Sequence, residues 1–490
     1  MRWINQIFAL LFLIIFTGCE KKPDPLQEIQ QHFEQGSFAE AGKIIDALET
    51  EVLADSIALD IEILKAKMER IQLDFSKTET EIKTELEPFY PELTEEQTRI
   101  WERSKSLEMR MINGERRYFK HAVRNLFRID STAGKIKNEK LGIQVDSLEL
   151  FCLAHTEKLI QQTEYGENLL EHPAKFRIDY SITLRADVVP AGEIVKCWMP
   201  FPRESAPRQR NVQFISANSE NYQIADNSNL QRSIYFEKTA VSGQPTVFEY
   251  SATFEIAPQY QQIQPSQIKP YNTSTALYRE FTVERPPHLV FSAPIKTLTD
   301  SLVSGLNNPY EKAKAIFYWI DQHIPWASAL EYSIIECIPE YVLENRHGDC
   351  GMKTLLFMSM ARYAGIPCKW QSGWMLHPEE INLHDWCEIY YEGIGWVPVD
   401  QSFGLQNSEN QKIKEFFLSG VDEYRWIVND DFSTSFEPPK KYYRSEPIDF
   451  QRGELEWKGG NLYFNQWNYQ LKLTYQLTSV DKKSIENFMF

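Results

Sequence analysis

Three residues in the C-terminal half have the types and spacing for acyl transfer: Cys350 in RHGDCGMKTLLFMSMARYAGIPCKW, His384 in LHDWCEIYYEGIGWVPVD, and Asp400 at the end of that second stretch. A thiol attacks as its thiolate, an imidazole takes and returns the proton, and a carboxylate orients the imidazole. After Cys350, Leu355, Leu356, Met358, Met360 and Ala361 supply an apolar helical face, and Gly365, Ile366 and Pro367 read as a stop. A helix is therefore predicted from about residue 350 to 364 with Cys350 in its first turn. Free amides and the positive dipole end favour a thiolate there, lowering such thiols to about 3.5–7.5.

The other two residues need a hairpin. The pattern predicts a strand starting near His384, a turn at Glu392 to Gly395 and a second strand ending at Asp400. With the turn centred near Gly393, residues 384 and 400 fall nearly opposite each other, so that Asp400 can hold His384.

Taken together, GDCG with LLF, R-x-x-GIP and SGW, then HDW, then GW-x-P-VD, resemble the transglutaminase-like core of the papain-like superfamily over roughly residues 285 to 405. The resemblance implies Cys350 as nucleophile, His384 as general base and acid, and Asp400 as orienting carboxylate. It further implies a protein or peptide substrate, a thioester intermediate released to an amine or to water, and no cofactor or metal. The backbone N–H of Cys350 is one oxyanion donor and Trp326 is a candidate for another. Cys368 and Cys387 depart from the pattern and read as core thiols. Two other readings stand beside this one. Cys350, Cys368, His384 and Cys387 are soft metal ligands in one segment, although no C-x-x-C pair occurs and His384 and Cys387 point to opposite faces of a strand. A non-catalytic surface lipoprotein using the same core as a peptide- or glycan-binding module is the alternative of another class.

The start of the chain bears on location. Met1 and Arg2 precede the apolar run Ile7 to Phe16 and then Thr17, Gly18 and Cys19, the shape of a bacterial lipoprotein signal. Cleavage before Cys19 leaves a lipid-bearing terminus on a polar tether. An ordinary cleaved secretory signal is the alternative, and either one exports the protein. The expectation is a cell-envelope protein, lipid-anchored to a bacterial membrane and facing the periplasm or exterior. Beyond that lipid no membrane contact is expected, and the run is too short to span a bilayer. A net charge of −17 argues against nucleic acid and anionic lipid surfaces. Seven cysteines lack the dense spacing of a disulfide framework.

The remaining elements follow from periodicity. Ile57, Ile61, Leu64, Met68, Ile71 and Phe75 recur at helical steps, as do Phe119, Val123 and Leu126. Thr94 with Gln97 reads as a capping box. FEQGSFAEAGKIIDAL resembles a tetratricopeptide helix pair without a second copy, and this helical region could bind a partner protein. Phe176, Ile178, Tyr180, Ile182 and Leu184 then alternate as a strand, and Val195, Cys197 and Met199 as another, so a β-sandwich is expected. After Asp400, QKIKEFFLSG looks helical, and GELEWKGGNLYFNQWNYQLKLTYQL reads as a hairpin turning at Lys458 to Asn461. Its Trp457, Tyr463, Phe464, Trp467 and Tyr469 are read as buried rather than as a carbohydrate or peptide platform. The fold class is α+β multidomain. Signal (1–19), tether (20–26), helical domain (27–172), antiparallel β-sandwich domain (173–284), papain-like transglutaminase core (285–405) and C-terminal β extension packed on the core (406–490) follow in that order.

Overall fold

The Thr78 hydroxyl and the Glu81 carboxylate close a reciprocal capping box, and the helix Glu79–Leu86 follows from it. Thr94 makes only half of one, its side chain accepting from the Gln97 N–H. The computed structural model describes residues 25–48 and 55–476. The apolar leader, Cys19 and the first part of the tether lie outside them. Among the described residues no helix is long and apolar enough to cross a membrane.

The helical region opens with an antiparallel pair, Pro25–Glu34 and Phe38–Leu48. Further helices run Asp55–Asp74, Glu79–Leu86, Glu95–Arg103, Ala122–Ile129, Ser131–Leu141 and Ser147–Glu164. Ile61, Leu64, Met68, Ile71 and Phe75 are buried as the period requires, whereas Ile57 at the frayed end is more than a third exposed. A small hairpin, Met109–Ile112 with Glu115–Tyr118, interrupts the helices. Its cause is local: Asn113 and Gly114 both take positive φ, the two-residue turn that an Asn-Gly pair favours, and the helical reading passed over that signal.

The sandwich consists of two antiparallel sheets. In one, strand Ala174–Leu184 pairs with Thr246–Ile256; in the other, Ile194–Pro200 pairs with Ser233–Thr239. The C-terminal strands correct one expectation. They do not form an extension on the core but complete these sheets: Glu454–Trp457 pairs with Ile194–Pro200, and Trp467–Gln476 runs beside Ala174–Leu184. Leu455, Leu462 and Trp467 are buried in the sandwich core, and Trp457, Leu471, Leu473 and Tyr475 pack against it half-buried. Of the aromatic residues there, Trp467 is buried, Tyr463 lies under the Arg70 guanidinium and Phe464 under that of Arg452, while Tyr469 is 40% exposed. Cys197 is fully buried between the sheets, as read.

The remaining sheet carries the candidate chemistry. Its four antiparallel strands run in the order Gly395–Val399, Ile381–Tyr391, Cys368–Leu376, Arg425–Asn429. One apolar core joins the helical region to the helices on this sheet. The second fills the sandwich and takes in Trp374, Leu376, Trp426 and Val428 from the same sheet. The helix Cys350–Tyr363 lies within the first of these cores, buried from Cys350 through Arg362. Each large apolar side chain in it contributes roughly 1.5–3 kcal/mol by leaving water, which fixes the helix against the sheet.

Candidate active site

Asp349 starts the Cys350 helix, its carboxylate accepting from Met352 N at 3.1 Å and from the Tyr332 hydroxyl. Cys350 therefore takes the first helical position, and the helix ends within a residue of its expected limit. The next residue must be small. A Cβ at Gly351 would lie 2.3 Å from the Tyr332 hydroxyl and 2.7 Å from Asp385 Oδ2.

His384 lies on the strand Ile381–Tyr391, which starts three residues before the expected point. Cys387 faces Val399, so the register sets Asp400 beside Trp386, two residues away from the expected partner and on the same face of the strand as His384. The two side chains nonetheless meet: His384 Nε2 is 2.7 Å from Asp400 Oδ2. Asp400 Oδ1 accepts from the Ser402 and Phe403 amides, both at 3.1 Å, and Oδ2 also accepts from Arg425 Nε at 2.8 Å. Burial alone would raise this carboxyl. The charges of His384 and Arg425 outweigh burial and hold it well below the usual carboxylate range. With a carboxylate accepting at Nε2, the ring proton belongs on Nε2 and the lone pair on Nδ1.

Arg425 bridges to a second histidine–aspartate pair. Its Nη1 donates to Asp422 Oδ1, and Asp422 Oδ2 lies 3.1 Å from His377 Nε2. Phe403 packs against both rings, 5.1 Å from His384 and 5.4 Å from His377, with the Arg425 guanidinium 4.4 Å over its face. Gly373, which faces His384 across the sheet, allows the close approach of the strand Arg425–Asn429, since a Cβ there would lie 2.0 Å from the Trp426 carbonyl oxygen. Cys152, His377 and Asp422 bring three donor atoms within 4.8 Å of one another, a group with the chemistry to hold a metal. Both Asp422 oxygens are already engaged, one of them by the Arg425 guanidinium, and that cation opposes a second cation beside it.

The thiol departs from expectation. Cys350 Sγ donates to Asp385 Oδ2 at 3.2 Å, and no hydrogen bond joins it to His384. Burial first, then the charges of Asp385 and Asp349, push the thiol well above its usual range. A helix N-terminus favours an anion by only about 0.3–1 kcal/mol, too little against desolvation and two neighbouring carboxyls. Asp385 itself is held in place by Gln451, whose Nε2 donates to Asp385 Oδ1 at 2.7 Å and to the His384 carbonyl at 2.9 Å.

Trp326 runs beside Gly348 in a parallel bridge, two residues ahead of Cys350. Its ring is 38% exposed and lies beneath the Arg128 guanidinium at 4.4 Å. The four soft ligands weighed as a metal set do not converge. Cys350 bonds Asp385 and His384 bonds Asp400, while Cys368 and Cys387 are buried against each other in the core. Reading of the sequence missed Asp385, Gln451, Asp422 and Arg425. Asp385 stood in plain view within HDW; the others come from distant segments with no motif of their own.

His347, just ahead of the Gly348–Cys350 turn, is buried with both ring nitrogens unpartnered, and burial lowers it to about 4. A folded-state value below the unfolded 6.5 means that the unfolded chain binds the proton more readily. Its stabilising contribution is full above about pH 6.5 and is lost as pH falls toward 4. Between pH 7 and 4.5, the stability of the wild type relative to His347→Phe should fall by about 2 kcal/mol in urea titrations.

Over 146 residues the chain is 22% identical to "Uncharacterized protein YebA" of Bacillus subtilis (strain 168), a match covering 26% of this chain and 20% of that protein. The chain thus spans about a fifth of the length of that curated relative. Among solved structures it is similar to a "putative cysteine protease" from Cytophaga hutchinsonii, at 15% identity, covering 63% of this chain and 92% of that one with a TM-score of 0.41. The periplasmic domain of TgpA from Pseudomonas aeruginosa is also similar, at 15% identity over 52% of this chain and 94% of that one, with a TM-score of 0.24. Residues 296–401 match the family model of the transglutaminase-like superfamily core, and this segment, which carries Cys350, His384 and Asp400, is a transglutaminase-like domain.

Proposed function

We propose that the protein is an exported, lipid-anchored cysteine enzyme of the cell envelope that cleaves a glutamine carboxamide or peptide bond through a thioester. The observation that carries this reading is the buried His384–Asp400 pair, 2.7 Å apart, on the strand that packs beneath the Cys350 helix within the transglutaminase-like segment. His384 Nδ1 takes the thiol proton and Sγ attacks the carbonyl carbon. In this reading the Cys350 amide, in the first turn of the helix, donates to the oxyanion. The C–N bond then breaks as the imidazolium returns the proton to the leaving amine. Water or a second amine attacks the thioester, and His384 takes the proton of that nucleophile in turn. Asp400 stays ionised throughout, paired with Arg425, and fixes the ring. Cys19 carries the lipid, and the substrate is a protein or peptide in the same compartment.

The binding-module reading has one observation in its favour, the protonated, nearly buried thiol. Alkylation separates the two. In the chain from residue 20 onward, iodoacetamide at pH 5 to 6 should label Cys350 at least about tenfold faster than an ordinary thiol with a pKa near 8.5, and His384→Ala should abolish the excess. Labelling at the ordinary rate in both proteins would favour the binding module.

A further inference from the structure

Asp385 touches the candidate nucleophile more closely than any other ionisable side chain. Its Oδ2 is 3.2 Å from Cys350 Sγ, its Oδ1 accepts from Gln451, and among the described residues no lysine, arginine or histidine forms an ion pair with it. Room for it has been made, because Gly351 is the one residue type that leaves its carboxyl uncrowded. The groups facing it are overwhelmingly acidic. Asp349 and Cys350 come from the head of the helix, Tyr332 from the short turn Tyr332–Ile334, and Asp400 from the neighbouring hairpin. The C-terminal segment contributes Glu446 and Asp449, with Arg452 bound to Glu446 and Glu331 rather than to Asp385. On its own strand, His384 is committed to Asp400. A carboxylate in this setting lacks a counter-charge, whereas a carboxylic acid has an acceptor for its proton at Sγ. Burial and Asp349 accordingly hold Asp385 well above the usual carboxyl range.

We propose that Asp385 is a further catalytic residue of this site: as a carboxylic acid it donates a hydrogen bond to the Cys350 thiolate, and its ionisation shuts the nucleophile off. The inference rests on the acyl-transfer reading above and names the group that regulates it. In the working form the thiol proton moves to His384 Nδ1, and Asp385 keeps its own proton while donating to Sγ. Once Asp385 loses that proton, a carboxylate 3.2 Å from Sγ opposes the thiolate, and the site falls silent at the alkaline side. The thiol-donating contact in the structure is the resting counterpart, in which both groups are protonated; once the thiol proton has passed to His384, the Asp385 O–H turns to donate to Sγ.

The test is the rate of Cys350 alkylation by iodoacetamide from pH 5 to 9 in wild type, Asp385→Asn and His384→Ala. The amide of Asn donates to Sγ but cannot ionise. Wild-type labelling should decline as pH rises, and Asp385→Asn should lack that decline, so that its ratio of rates at pH 8 and pH 5 exceeds the wild-type ratio at least about tenfold. An Asp385→Asn profile that follows the wild-type decline overturns the proposal while leaving the acyl-transfer reading intact. A wild-type rate indifferent to His384→Ala at every pH rejects that reading, and the proposal with it. Should Asp385→Asn fail to fold, Gln451→Leu serves instead. It keeps Asp385 but removes the N–H that favours its ionised form, so the decline should move to higher pH, and an unmoved decline overturns the proposal.

Discussion

Cys350→Ala is expected to lower turnover of a peptide or carboxamide substrate by roughly 10⁴-fold or more while moving the thermal midpoint by no more than about 2 °C. The asymmetry follows from what the side chain does in the folded state. Its side-chain hydrogen bond to Asp385 holds the thiol in its neutral form, so its removal leaves no charge of its own unpaired. Catalysis, by contrast, has no substitute for the sulfur. His384→Ala should lose a comparable factor, and the double variant should be no worse than either single one, because residues that act as a unit are not additive. Additive losses in single-turnover assays would mean that the thiol and the imidazole do not act together.

Arg425→Met should have the opposite profile, with its largest effect on stability. Asp400 and Asp422 are buried, and Arg425 is the cation bonded to both. Removing one partner of a buried ion pair leaves an uncompensated charge and costs about 3–5 kcal/mol, which equilibrium urea unfolding at pH 7 would register directly. Asp422→Asn in the same background should recover part of that loss, since it deletes one of the two stranded carboxylates. The pH dependence gives a second readout. Asp400 lies below its unfolded value, so it contributes stability above the ordinary carboxyl range, and that contribution is lost as pH falls through it. Without Arg425 that contribution shrinks, and the acid limb of the unfolding curve should be shallower. A variant as stable as wild type, with an unchanged acid limb, would show that the guanidinium is dispensable to the pair.

Much of the local structure was legible without coordinates. The Cys350 helix and the hairpin bearing His384 and Asp400 depend on patterns read over a few residues: an apolar helical face ending in Gly-Ile-Pro, and two short strands about a Gly-containing turn. Hairpin partners are near neighbours in the chain, so their approach needs no long-range information, and a register error of two residues kept both side chains on one face, where they meet. The missed hairpin at Asn113–Gly114 was equally local and was lost only because a helical period surrounded it.

The ionic environment of the site was not legible, because it is assembled from segments whose separation in the chain hides their contact. Gln451 reaches Asp385 from 66 residues away, and Tyr332 reaches Asp349 from 17 residues away, past the helix Ile338–Asn345. Arg425 joins Asp400 to Asp422 from a strand on the far edge of the sheet, in a stretch that looks irregular once its apolar period is broken by prolines and aromatics. The C-terminal strands likewise found their partners in the sandwich some 270 residues earlier, a choice made by which sheet edge and apolar surface remained open, not by any local preference. The amino-acid sequence by itself determined which residue types stand at the head of the helix and along the hairpin. Tertiary structure alone decided the charge state of the thiol, because ionisation depends on burial and on neighbours within a few ångströms, and those neighbours come from across the whole chain.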